Sequence, residues 1–409
     1  MCFLPHPVVL QQKFTPFKMY SSFFINYIFP LNKILIYNSL FSYHIYIIIL
    51  AMIYSRRYTS LKKRIFLIFQ ISAVFIGTVV GAGLASGQEI SQFFTQYGYK
   101  SFLGILICCI VYITMSIIII NLSIKYKLNS YDGLILLVSP GFLGLVTNFL
   151  TTFFLIGGSS IILAGSGALI HQYFGISRWI GIFFMAFISA VVLFRETKGL
   201  IEINSIIVPS LIIVILTLFL LYLIFYRDID LSLIKNIPYR KNNWLLSSLV
   251  YSGFNILCCS GVLVPLSLSI NRKKSLIAGA IIGSLGLTFL AFIINFLLIL
   301  NIPYIFKYEI PLLYIANRFG KLFQTMLLFI IWLEMFSTEV SDIYSVSKNF
   351  QEIFNISYNK SVILIILIAI PISQVGFINL ISFLYPAFGV VSFIFILQCI
   401  IFYIKDCRK

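Results

Sequence analysis

Residues 77–89 read Gly77-Thr-Val-Val-Gly81-Ala-Gly83-Leu-Ala-Ser-Gly87-Gln-Glu89, within an apolar segment from about Phe66 to about Tyr97. Four glycines, a serine, a glutamine and a glutamate stand at the depth where a membrane helix should be hydrocarbon. Glycine weakens a helix because it has extra backbone freedom and no side chain to pack. Irregular backbone at membrane depth is tolerated only when protein buries it or when it lines a cavity. A Gly-interrupted membrane helix is therefore a pointer to a transporter's binding site.

The composition supports a membrane setting. The chain is 60% hydrophobic and 10% charged, with a mean hydropathy of +1.04. About a quarter of a typical soluble chain is charged, which excludes that class. The 409 residues suit roughly ten to eleven spans with short loops. The net charge of +17 is read as loop lysines and arginines that orient the chain in the bilayer, so no nucleic-acid partner is expected. Cys108-Cys109 and Cys258-Cys259 lie inside apolar segments, and His6, His44 and His171 are scattered. Neither set has a metal-ligand or disulfide pattern, and no cofactor is expected. The absence of G-x-x-x-x-G-K-[ST] removes the usual signal for ATP use.

Ten spans follow from hydropathy and breaker residues. They cover about 66–97, 101–124, 143–172, 177–194, 200–226, 245–270, 275–301, 320–348, 361–377 and 379–404. Residues 129–142 read as a loop, and 302–318 as a polar connection with room for a short helix. Residues 1–60 form an N-terminal extension ahead of a transporter domain at 61–409. Its apolar run at 34–54 reads either as an extra span or as untranslated sequence before a start at Met52. With the segment before the first span in the cytoplasm, 17 of the 29 basic residues fall inside and 9 outside. Lys13, Lys18 and Lys33 lie in the extension. This bias places both core termini in the cytoplasm, and the family resemblance described below implies a bacterial plasma (inner) membrane.

The core divides into halves of five spans each, 66–226 and 245–404. An odd number of spans per half inverts the second half, the arrangement of many secondary transporters. The sixth span should then be interrupted as the first is. Its centre reads Tyr251-Ser-Gly253-Phe-Asn255-Ile-Leu-Cys-Cys-Ser260-Gly261-Val-Leu-Val-Pro265, which predicts a second break.

Several polar groups fall inside the spans. Ser86-Gly-Gln-Glu89 has capping-box spacing, so Ser86 is expected to cap a half-helix and Glu89 to reach back as cap or gate. The free N–H groups there would suit a substrate carboxylate. The competing reading of Gly77/Gly81 and Gly83/Gly87 is close helix packing. On the eighth span, Glu334, Ser337, Thr338 and Asp342 share one face by their spacing. The hydroxyls could serve a hard cation, and Glu334 is a functional candidate because acids inside a span are costly. Glu339 and Asp342 read as solvated near the cytoplasmic end beside Lys348, and Glu202 and Asn204 as interfacial. Asn255, Ser260, Ser159 and Ser166 face either a cavity or neighbouring helices.

The run Gly77 to Ile90 resembles the first-helix signature of the YkvI-type membrane proteins of bacteria, relatives of the amino acid–polyamine–organocation transporters. The resemblance covers about residues 60–405. It implies an all-α LeuT-like 5+5 inverted repeat with broken first and sixth helices. It places the substrate between the first, third, sixth and eighth helices, against Gly81, Ala82, Gly83, Ser86, Ser159, Gly253, Asn255, Ser260 and Gly261. It also implies a sodium site built from the carbonyls of Gly77, Ala82 and Glu334 and the hydroxyls of Ser337 and Thr338. Glu334 departs from the small residue usual at its place, which adds charge to an ion site or makes the coupling ion a proton.

The expected function is secondary active transport of a small organic solute, an amino acid or related compound, coupled to Na+ or H+ by alternating access. No enzymatic activity is expected, and the expected partners are the solute and the lipid bilayer. The alternatives are a transporter-like membrane sensor and a channel without coupled transport.

Overall fold

Lipid offers no partner to a bare peptide group, so a spanning segment satisfies its backbone internally as a helix. A computed structural model of the chain describes residues 60–225, 243–308, 310–375 and 377–407. These residues form helices and short connections, with no strand among them.

The first span is interrupted twice. Helix α1 covers Ser60–Val79, α2 Ala82–Ala85, α3 Gln88–Phe93 and a 3-10 turn Thr95–Tyr97. Val80 and Gly81 separate α1 from α2, and Ser86 and Gly87 separate α2 from α3. Gly87 has φ +82°, a left-handed conformation that a side chain disfavours.

The chain then forms α4 Lys100–Tyr126, α5 Tyr131–Val138, α6 Phe142–Phe174, α7 Arg178–Leu193 and α8 Glu196–Phe225. The later half holds α9 Trp244–Ile270, α10 Lys273–Ile299, a 3-10 turn Tyr304–Lys307 and α11 Pro311–Asn317. It closes with α12 Lys321–Phe354, α13 Tyr358–Ser373 and α14 Phe377–Cys407. Among the described residues, α4, α6, α8, α9 and α10 are long and apolar enough to cross a membrane. Helix α12 is bent from α13 by 119°. Its 34 residues amount to roughly 50 Å at 1.5 Å per residue.

Helix α12 is central to the packing, touching α2, α6, α7, α8, α9, α11 and α13. Helix α4 packs on α9 and α10, and α14 on α6 and α9. At the α1–α10 contact, Ser72 Oγ donates to the carbonyl of Gly279 at 2.9 Å, an approach that a glycine permits.

Two expectations are corrected. Residues 129–142 are not a plain loop but contain α5, whose Tyr131, Leu134 and Ile135 are fully buried. The predicted break in the sixth span does not occur, because α9 is helical from Trp244 to Ile270. Its polar groups close onto its own backbone: Asn255 Nδ2 donates to Tyr251 O at 3.0 Å and Ser260 Oγ to Leu257 O at 2.6 Å. Its glycines serve packing. A methyl at Gly253 would lie 2.9 Å from Ser392 Oγ of α14, and one at Gly261 2.5 Å from Ser345 of α12. Pro265 lies inside the helix, which the surrounding protein tolerates. The expected N-terminal span at 34–54, the start at Met52 and most of the connection between the halves lie outside the described residues.

Candidate functional site

The break in the first span exposes backbone carbonyls. The last bond of α1 runs from Val80 N–H to Ile76 O, and the chain resumes with Ala85 N–H donating to Gly81 O. Two hydroxyls of α12 meet the end of α1. Ser337 Oγ lies 3.3 Å from Gly77 O, and Thr338 Oγ1 lies 3.1 Å from Val80 O and 3.0 Å from Glu334 O. The carbonyls of Gly77, Val80 and Glu334 thus gather with the hydroxyls of Ser337 and Thr338. The carbonyl beside Thr338 is that of Val80, which follows α1, and Ala82 opens α2.

Asn204 of α8 joins this group. It is fully buried rather than interfacial. Its Oδ1 accepts from Ser337 Oγ at 2.7 Å, and its Nδ2 donates to Leu200 O at 2.9 Å. The only sequence signal for this was an amide on a span otherwise apolar beyond its start. Glu202, by contrast, is exposed and paired with Arg195.

The capping box does not form. Gly87, not Ser86, is the N-cap of α3, and it makes no side-chain cap. Ser86 Oγ donates to Gly83 O at 3.0 Å and receives the Gln88 N–H at 3.3 Å. Glu89 is buried, and its Oε2 accepts from the Tyr251 hydroxyl at 3.0 Å. The left-handed turn at Gly87 starts α3 without a serine cap, and the Tyr251 phenol is a donor that the buried carboxylate can use. Tyr251 is flanked by Phe93 and Phe94, and Asn255 Nδ2 also reaches Tyr112 Oη at 3.1 Å. Beside Tyr112 and Tyr251 is an apolar cavity with room for about one water, too small for an organic solute.

The acids of α12 also differ from expectation. Glu334 is fully buried, and among the described residues neither carboxyl oxygen has a hydrogen-bond partner. Glu339 is fully buried and Asp342 nearly so, rather than solvated at an end. Lys348 pairs with Glu196 at 2.9 Å. Ser159 of α6 donates to Glu339 Oε1 at 2.8 Å, and Ser166 Oγ accepts from Trp332 Nε1 at 2.9 Å.

Of the residues expected at the substrate, Gly81 and Gly83 lie at the break and are half-buried. Ser86 is tied to the local turn, and Ser159 to Glu339. Gly253, Asn255, Ser260 and Gly261 are engaged in α9 and its contacts with α14, α4 and α12. Half-buried residues that sequence reasoning did not select stand amid buried neighbours. They are Gly158 on α6, Phe254 and Cys258 on α9, and Thr338 on α12, the last chosen only as an ion ligand.

Comparison with known proteins follows the same lines. Residues 272–408 match the family model for branched-chain amino acid transport protein. The uncharacterized membrane protein YkvI of Bacillus subtilis (strain 168) is 31% identical over 327 residues, covering 80% of this chain and 93% of YkvI. Protein YyaD of the same organism is 26% identical over 337 residues, covering 81% and 95%. Among solved structures, Mhp1, a nucleobase-cation-symport-1 family transporter, superposes with a TM-score of 0.59 at 14% identity, covering 79% of this chain and 74% of Mhp1. MhsT in complex with L-phenylalanine gives 0.58 at 17%, covering 82% and 87%.

The class is thus an integral membrane protein with the LeuT-like transporter fold. Within that class, the chain belongs to the YkvI family.

Proposed function

We propose that the chain is a secondary transporter of a small organic solute, an amino acid or a related compound, working by alternating access with Na+ as coupling ion. The observation that carries this reading is the convergence of Gly77 O, Val80 O, Glu334 O, Ser337 Oγ and Thr338 Oγ1 at the break in the first span. Hard cations are held by several oxygens, and unwound backbone in a transporter helix supplies carbonyls for the coupling ion. The solute would lie beside it, where Gly81, Gly158, Cys258 and Thr338 keep some exposed surface. The family described as branched-chain amino acid transport, matched over residues 272–408, and the L-phenylalanine-bound neighbour support an amino acid as the cargo class. The basic-residue bias supports cytoplasmic core termini in a bacterial inner membrane.

Proton coupling is a second reading with its own observation, the unpartnered buried carboxyl of Glu334. Proteoliposome uptake of a labelled amino-acid panel, with and without a sodium gradient, tests both. Sodium-driven uptake is expected, with its sodium response lost in Ser337→Ala/Thr338→Ala. Uptake indifferent to sodium and to that double substitution rejects the ion site. Uptake that instead follows a pH gradient and fails in Glu334→Gln supports the proton.

A further inference from the structure

The charged residues buried among the described residues are Glu89, Glu334, Glu339 and Asp342, and no lysine, arginine or histidine is buried with them. The ion pairs Lys125–Asp406, Arg195–Glu202 and Lys348–Glu196 each have a partner at least half exposed. An ionised carboxylate in a low-dielectric interior is costly unless a cation or several donors compensate it. Glu89 has the Tyr251 hydroxyl. Glu339 and Asp342 form a different arrangement.

Each meets one of two adjacent residues of α6. Ser159 donates to Glu339 Oε1, while Glu339 Oε2 is buried with no hydrogen-bond partner among the described residues. Asp342 Oδ2 lies over Gly158, only 2.6 Å from where a Cβ would stand. Asp342 retains 8% exposure, unlike Glu339. Cys258 of α9 is half-buried. Two carboxyls thus lie one helical turn apart, Asp342 with a small exposed surface and Glu339 fully enclosed with one oxygen that meets no donor among the described residues. A group that brings N–H donors and positive charge would satisfy both.

We propose that the transported solute carries an organic cation, an amine or guanidine, seated between Glu339 and Asp342 over Gly158 and Ser159, so that the substrate class is the basic amino acids and their diamine relatives. This rests on the transporter reading above. An isobutyl or sec-butyl side chain in the same place would leave Glu339 Oε2 without a donor. Guanidinium fits the chemistry well, because its planar N–H fork can address two carboxylates at once. Like charges one turn apart are unfavourable when alone and become complementary once a cation sits between them.

The test uses full-length protein and two matched solutes. L-Arginine and L-citrulline have nearly the same shape, and only arginine carries the side-chain charge. Affinities are measured by competition against labelled L-arginine, with L-lysine and L-leucine as a second pair. Arginine is expected to bind at least about tenfold more tightly than citrulline, the usual scale of a charge-assisted hydrogen bond. Asp342→Asn and Glu339→Gln, which keep side-chain size, should reduce that ratio to about threefold or less. Glu202→Gln, a surface acid on α8, should leave it unchanged. The wild-type ratio alone keeps the proposal falsifiable if a variant fails to fold. Citrulline or leucine binding as tightly as arginine would overturn the cationic-solute proposal and leave the transporter reading standing. A cooperatively melting protein that binds none of the four would overturn both.

Discussion

Gly77 has no room for a side chain. An added methyl would fall on Asn204 Oδ1 and within 2.8 Å of Ser337 Oγ. The Asn204 side chain is held by its own bond to Leu200 O, so it cannot retreat without leaving a buried amide unpaired. Gly77→Ala is therefore expected to cost about 1–3 kcal/mol, the usual range for overpacking, read as a lower melting temperature of the detergent-solubilised protein. In the sodium-coupled reading it also abolishes the rise in melting temperature that sodium produces by binding the folded state. A Gly77→Ala protein that sodium stabilises as strongly as wild type argues against ion binding here. Gly81 is different, since a methyl there meets only Thr338, at 3.5 Å. One glycine maintains a contact, and the other leaves surface at the break.

Helix α9 illustrates how similar residues lead to different elements. Both the first and sixth spans carry Gly, Ser and an amide or acid at mid-depth. The first span breaks, because the hydroxyls of Ser337 and Thr338 take up the carbonyls that its unwinding frees. In the sixth, Asn255 and Ser260 hydrogen-bond within the helix, and the glycines admit α14 and α12. Gly261→Val should push Ser345 away and separate α9 from α12, with a cost of about 1–3 kcal/mol. Pairing it with Ser345→Gly should recover part of that cost, since contacting sites couple. Melting temperatures of the two single variants and the pair measure this coupling, and strict additivity would contradict the contact.

For the whole molecule, the proposed orientation rests on charge. Lys348 with Glu196, Lys125 with Asp406 and Arg195 with Glu202 all tie helix ends together. All lie on the side that the positive bias assigns to the cytoplasm. Cys407 is free and exposed at the end of α14. A membrane-impermeant thiol reagent is expected to label it in inside-out vesicles and not in right-side-out cells. The reverse pattern would invert the proposed topology. Cys258, half-buried at mid-span, should be labelled far more slowly from either side, since only one face of an alternating-access cavity opens at a time.

The sequence by itself determined the membrane class and the break at Gly81, because hydropathy and glycine content act locally on each segment. It also singled out Glu334, Ser337 and Thr338, since helical spacing places them on one face. Tertiary structure alone decided where freed carbonyls and buried acids find partners. Val80 O meets Thr338, Asn204 joins Ser337, and Glu89 accepts from the Tyr251 hydroxyl. It likewise kept the sixth span whole and drew Glu339 and Asp342 into the bundle. A polar group in hydrocarbon must be satisfied, but one sequence allows several partners. The choice depends on which helix lies a few ångströms away.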